Sequence, residues 1–127
     1  MAATPAYAAT PRIAVVQIST ANTNRDGTGT IGTVWTAGSS GSRVDRVIIE
    51  ATSSTTAGMI RLFIYDGGNN YLIKEIAVSA ATPSATVQTF RSEFTFDGGL
   101  MLQNTYLLKA STHNAETFNV FAIGGDF

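Results

Sequence analysis

The sequence predicts an all-β fold, an antiparallel β-sandwich of jelly-roll type with about eight strands. Three observations lead there. Apolar and polar residues alternate over short runs, and clusters rich in glycine, asparagine and serine separate those runs every ~8–12 residues. Helical periodicity is absent from windows of about ten residues or more. With 127 residues the chain has the length of one domain, large enough to bury a core without disulfide or metal support.

Taken in order, residues 1–11 hold Pro5 and Pro11 among small side chains and read as an extended arm with no core of its own. The sandwich is expected over 12–127. Its strand-like runs are "RIAVVQIST" (12–20), "TIGTVWTA" (30–37), "RVDRVIIEA" (43–51) and "MIRLFIYD" (59–66). They continue with "YLIKEIAV" (71–78), "TVQTFRSEFTF" (86–96), "YLLKAS" (106–111) and "FNVFAI" (118–123). Period two is clearest in two of them. Ile60, Leu62 and Ile64 share one face, opposite Met59, Arg61, Phe63 and Tyr65; Phe90, Phe94 and Phe96 line one side, opposite Arg91, Glu93 and Thr95. The separators "DGTG", "AGSSGS", "DGGNN", "AATPSA" and "DGG" break the runs, and "DGGNN" is a hairpin signal. The stretch "GLMLQNTYLL" (99–108) reads either as one bent strand or as two.

Composition excludes several classes of function. There is no cysteine, so disulfides, thiolate zinc sites and cysteine nucleophiles are out. A net charge of −1 gives no electrostatic footprint for nucleic acid or anionic lipid. No apolar run approaches the ~20 residues that span a bilayer, and "MAATPAYAATP" lacks the basic and apolar regions of a signal peptide. Charged residues are only 13% of the chain, which suits both a Thr-rich β protein and a surface that faces other protein.

The stretch "NTNRDGTGTIG" (22–32) satisfies two motif templates at once. Asn22, Asn24 and Asp26 are spaced like the first ligands of a calcium loop, but the twelfth position, where a bidentate Glu belongs, is Thr33. Gly27, Gly29 and Gly32 match the dinucleotide glycine pattern, yet a strand-like run follows where a helix N-terminus is needed. The expected state is an exposed loop carrying Asn22, Asn24, Arg25 and Asp26, with no metal and no cofactor. His113, the single histidine, lies in "STHNAETF" with no nucleophile elbow in the chain. Together with Asn114 and Glu116 it is expected in a second exposed loop. The nine acidic residues are scattered, and the terminal "GGDF" has no catalytic domain around it. Tyr7, Trp35, Tyr65, Tyr71 and Tyr106 could form a carbohydrate platform, although core packing is the ordinary role of such rings.

The segments "TPRIAVVQISTANTNRDGTGTIGTVWTAG", "TTAGMIRLFIYDG" and "STHNAETFNVFAIGGDF" resemble a family of small virion or head-module proteins of tailed bacteriophages and prophages. The resemblance covers nearly all of 4–127, with "ANTNRDGTGT" and "STHNAETFNV" as its most specific parts. It implies a non-enzymatic virion structural protein, made in the host cytoplasm. Small all-β proteins of that class commonly act as capsid decoration or cement proteins, typically trimers on the outer shell, so the implied partners are the major capsid protein and further copies of the chain. The arm and the start of the first strand, with Thr4, Pro5, Tyr7, Pro11 and Arg12, are the expected contact to a neighbour. Tyr7 would be its anchor. The alternatives are a head-fibre or tail component that presents loops to a receptor or glycan and, in another class, a carbohydrate-binding module or small hydrolase.

Overall fold

A computed structural model describes residues 10–127. Eight strands form: β1 (Thr10–Ile18), β2 (Gly32–Thr36), β3 (Ser42–Ala51), β4 (Gly58–Tyr65), β5 (Asn70–Val78), β6 (Arg91–Leu102), β7 (Leu107–Thr112) and β8 (Phe118–Asp126). They make two antiparallel four-stranded sheets, in the orders β1-β8-β3-β6 and β2-β7-β4-β5. Only the β4–β5 hairpin stays within one sheet; every other connection crosses to the opposite one. This is jelly-roll order, and it makes the first and last described strands neighbours, with β8 between β1 and β3.

The core is the alternate residues of both sheets. Val44, Val47, Ile49, Val120, Ala122 and Phe118 from the first sheet meet Trp35, Ile60, Leu62, Leu108 and Ala110 from the second, all essentially without accessible surface. Phe90, Phe94 and Phe96 flank this core as their alternation predicts, and Phe94 and Phe96 pack edge to face at 5.0 Å. Ile60, Leu62 and Ile64 face inward together.

Strand limits shift at several places, two of them with consequences, and one open alternative is resolved. β1 begins at Thr10, so Thr10 and Pro11 pair with Asp126 and Gly125 and belong to the sandwich, not to an arm. Thr4, Pro5 and Tyr7 lie outside the described residues. β6 starts at Arg91 and runs to Leu102, straight through "DGG". Gly98 and Gly99, at φ 74° and 83°, let β6 bulge there: Val44 pairs with Leu100 and Arg46 with Thr95, leaving the residues between unmatched. The stretch 99–108 is two strands, broken at a turn closed by Tyr106 N–H donating to Gln103 O.

Candidate functional site

The two motif loops are brought together, and the residue that joins them is Arg61. Its alternation on β4 turns it away from the core, yet its side chain is only 1% exposed. The guanidinium donates through Nε to Glu75 at 2.9 Å, through Nη1 to the Asn22 carbonyl at 3.2 Å, and through Nη2 to His113 Nδ1 at 3.2 Å. An arginine only donates, so His113 Nδ1 is the acceptor. Arg25 Nε donates to the same Glu75 oxygen at 2.7 Å. Arg25, then Arg61, hold the Glu75 carboxyl below the usual carboxylate range.

What buries Arg61 is the segment after β1. It starts on β7, where Asn22 N–H donates to Thr112 O at 2.8 Å, and ends on β5, where Asn70 Nδ2 donates to Gly27 O at 3.0 Å. Arg61 and Tyr65 pair across β4–β5 with Glu75 and Asn70, the two residues the segment reaches. Between them lies Phe63, with no accessible surface although it too points away from the core. The segment thus roofs the outer face of the second sheet.

The roof is built around Asn22, which is 5% exposed and not the exposed residue its loop predicts. Its Nδ2 donates to Thr28 O and Thr30 O, and its Oδ1 accepts from Asn24 N. A side chain with both donors and an acceptor satisfied locally can be buried at little cost. Gly29, at φ 86°, lies so close that a Cβ there would meet Asn22 Nδ2 at 2.7 Å. Asp26 Oδ1 accepts from Thr28 N and Oγ1, which holds its carboxyl below the usual range. Asn24, Arg25 and Asp26 are exposed on the outside of the roof. Gly32 opens β2, a strand, so the glycine pattern is followed by no helix N-terminus.

His113, Asn114 and Glu116 are half-buried, a second departure from the exposed loop expected there. They fold back onto the β3–β4 connection. Asn114 Nδ2 donates to Thr56 Oγ1 and Ala57 O, and Glu116 Oε2 accepts from Thr56 N and Oγ1. Among the described residues no three His, Asp or Glu side chains converge in a metal-binding group. A cavity of about 120 Å³ between β1, the roof and β7 is lined by Ser19, Thr20, Thr30 and Thr112, with room for a few waters at ~30 Å³ each. No titratable side chain lines it.

Arg12, a candidate partner contact in the sequence, is also tied into the sandwich. The alternation of β1 turns it inward, where its guanidinium lies 3.7 Å from the Trp35 ring centroid. It holds Asp126 through Nε and Nη2, at 2.9 and 3.0 Å, and caps Thr36 O. Arg12, then the Ser42 hydroxyl, keep the Asp126 carboxyl below its usual range. The aromatic platform does not assemble among the described rings. Trp35 is fully buried, Tyr106 packs on the core, and Tyr65 carries Lys109 over its ring at 4.5 Å on the roofed side.

The outer face of the first sheet is the opposite case. The register sets Ile13 beside Ile123 and Val15 beside Phe121, with Ile48 on the far side of Phe121, all pointing outward. Ile13 is 60% exposed and Val15 57%. Met101 is exposed at the far strand of the same sheet. Beside this apolar corner lies a charged one, where Arg46 meets Glu93, and Arg91 meets Glu50 and Glu93. Sequence alternation alone missed this surface, because β1 and β8 carry apolar residues on both of their faces. No family model matches the chain, and no curated protein matches it.

Proposed function

We propose that the protein is a non-enzymatic structural protein of a tailed-bacteriophage virion that binds the outer surface of the capsid as a decoration or cement protein. The observation that supports this is the apolar corner where exposed Ile13 and Val15 adjoin half-buried Ile48, Phe121 and Ile123. Single exposed apolar residues are ordinary, but a contiguous group on a flat sheet, bordered by charge, has the make-up of a protein–protein interface. The major capsid protein is the partner, in keeping with the family resemblance. The roofed face fits the same reading: Arg61 is hydrogen-bonded within the chain to Glu75, His113 and the Asn22 carbonyl.

The test is re-addition of purified protein to shells that lack it, with binding measured by co-sedimentation. Wild-type protein should bind in a fixed ratio to the capsid protein and raise the temperature at which shells rupture. Val15→Glu and Ile13→Glu, at exposed positions, should lose binding while the melting of the isolated protein changes little. Equal binding by these variants would overturn the reading. Adsorption to host cells, with no binding to shells, would favour the receptor-binding alternative instead. Deleting residues 1–9, and Tyr7→Ala alone, asks in the same assay whether the arm contributes.

A further inference from the structure

A sandwich has four edge strands, here β1 and β6 of the first sheet and β2 and β5 of the second. Each exposes a row of unpaired backbone amides and carbonyls, which soluble proteins usually blunt with bulges, charge or short length. Three of the four are blunted. β2 has five residues and a register break between Thr33 and Trp35. β5 carries Ile73 as an extra residue where the partners of Leu62 and Phe63 jump from Lys74 to Leu72. β6 bulges at Gly98 and Gly99.

β1 is different. Its nine residues pair with β8 in unbroken register from Thr10↔Asp126 to Ile18↔Phe118. Its only charge, Arg12, is turned inward and bound to Asp126. Pro11 has no N–H, so it fits a strand only where that position faces the free edge. Hydrogen-bonding direction alternates along a strand, which puts the N–H and C=O groups that face away from β8, without a strand partner among the described residues, at Ile13, Val15 and Gln17.

We infer that the β1 edge pairs antiparallel with β1 of a second copy of this chain across a two-fold axis. The sequence is self-complementary in the register centred on Ala14. That register sets Ile13 against the second copy's Val15 as a pair exchanging both backbone hydrogen bonds, and repeats the pair by symmetry. Pro11, a residue without an N–H, then faces Gln17 and accepts from its amide. On the inner side Arg12 faces Val16, so no like charges oppose each other. The two apolar corners become one continuous stripe at the centre of an eight-stranded sheet, and the faces of both copies stay open. A two-fold contact also differs from the trimer that the family resemblance implies, and it stands independently of the capsid reading.

Sedimentation equilibrium of the full chain over a wide concentration range tests this directly. The expected result is a monomer–dimer equilibrium, with slow hydrogen exchange at the Ile13 and Val15 amides only at high concentration. Ile13→Lys, at a residue 60% exposed, should weaken the dimer by at least about tenfold while the melting transition stays cooperative. Val15→Pro removes a free-edge amide without touching the β8 pairing and should do the same. Since the chain has no cysteine, Ala14→Cys gives a positive test. Facing residues of a non-hydrogen-bonded pair lie ~4.5 Å apart at Cα, within disulfide range, so mild oxidation should give a covalent dimer. Val87→Cys, exposed in the β5–β6 connection, should not. A monomer at all concentrations, a trimer, or a dimer that both Ile13→Lys and Val15→Pro leave intact would overturn the inference.

Discussion

The two outer faces of this sandwich carry similar residues and meet different fates. On the second sheet, Arg61 and Phe63 point outward and are buried, because the segment between β1 and β2 crosses over them. On the first sheet Ile13 and Val15 point outward and are exposed among the described residues. Outward-facing apolar residues on a strand therefore say that something covers them; they do not say whether the cover belongs to the same molecule. The roofed face makes a stability contribution within the chain. The open face is available to contribute to association.

The contrast is sharpest in Phe63→Ala. If the roof seals this face as a second small core, the truncation should cost about 4 kcal/mol, like any fully buried phenylalanine. Thermal unfolding followed by the fluorescence of Trp35 measures it, and a cost under about 1 kcal/mol would mean that the roof opens freely. Arg61→Met comes next. It leaves Glu75, His113 and the Asn22 carbonyl without their shared donor, an expected loss of about 3 kcal/mol, or roughly 10 °C in Tm. Faster hydrogen exchange should follow along the roof, at Asn22 and Asn24 above all, and not in β8.

Acid titration gives a smaller effect of known sign. Glu75 and Asp126 have carboxyls depressed by their arginines, so the folded state holds fewer protons than the unfolded one near pH 4. Their stabilisation is fully present above the unfolded carboxylate pKa of about 4 and is lost as pH falls through the lower folded values. Tm should stay flat from neutral pH to about 4.5 and fall below that. Arg61→Met should flatten the fall, because part of the depression at Glu75 goes with it. The smallest effect belongs to the open face. Ile13→Ser and Val15→Ser should change monomer stability by no more than about 0.5 kcal/mol, as for exposed sites generally. A loss like that of Phe63→Ala would show that this face too is covered within the monomer.

Much of the fold was legible because period two survives in Ile60–Leu62–Ile64 and in Phe90–Phe94–Phe96, where one face is core. It misled where local chemistry admits two outcomes. Thr86, Val87 and Gln88 have strand-forming neighbours, yet they lie in a connection in which Val87 is 51% exposed. Gly98 and Gly99 look like a strand end and are a bulge inside one. The site was harder to read. Asn22 was visible as a turn former, but its burial depends on Thr28, Thr30 and Thr112, and the last is far away in sequence. Arg61 belongs to an alternation that predicts exposure, and only a long-range crossing reverses it. Burial by a roof is a tertiary event and leaves no local signal.

The place of β8 has a consequence for synthesis. The strand that joins β1 to β3 comes after every other described strand in chain order. Until residue 126 has emerged, β1 has no neighbour in its sheet, and Arg12 has no Asp126 to hold it over Trp35. The first sheet therefore cannot close strand by strand as the chain appears, and an apolar β1 must wait for its sheet neighbour until β8 has been made. Contacts of such long sequence separation form slowly. During that wait the stretch from Ile13 to Ile18 is the part of the chain most in need of shielding by chaperones.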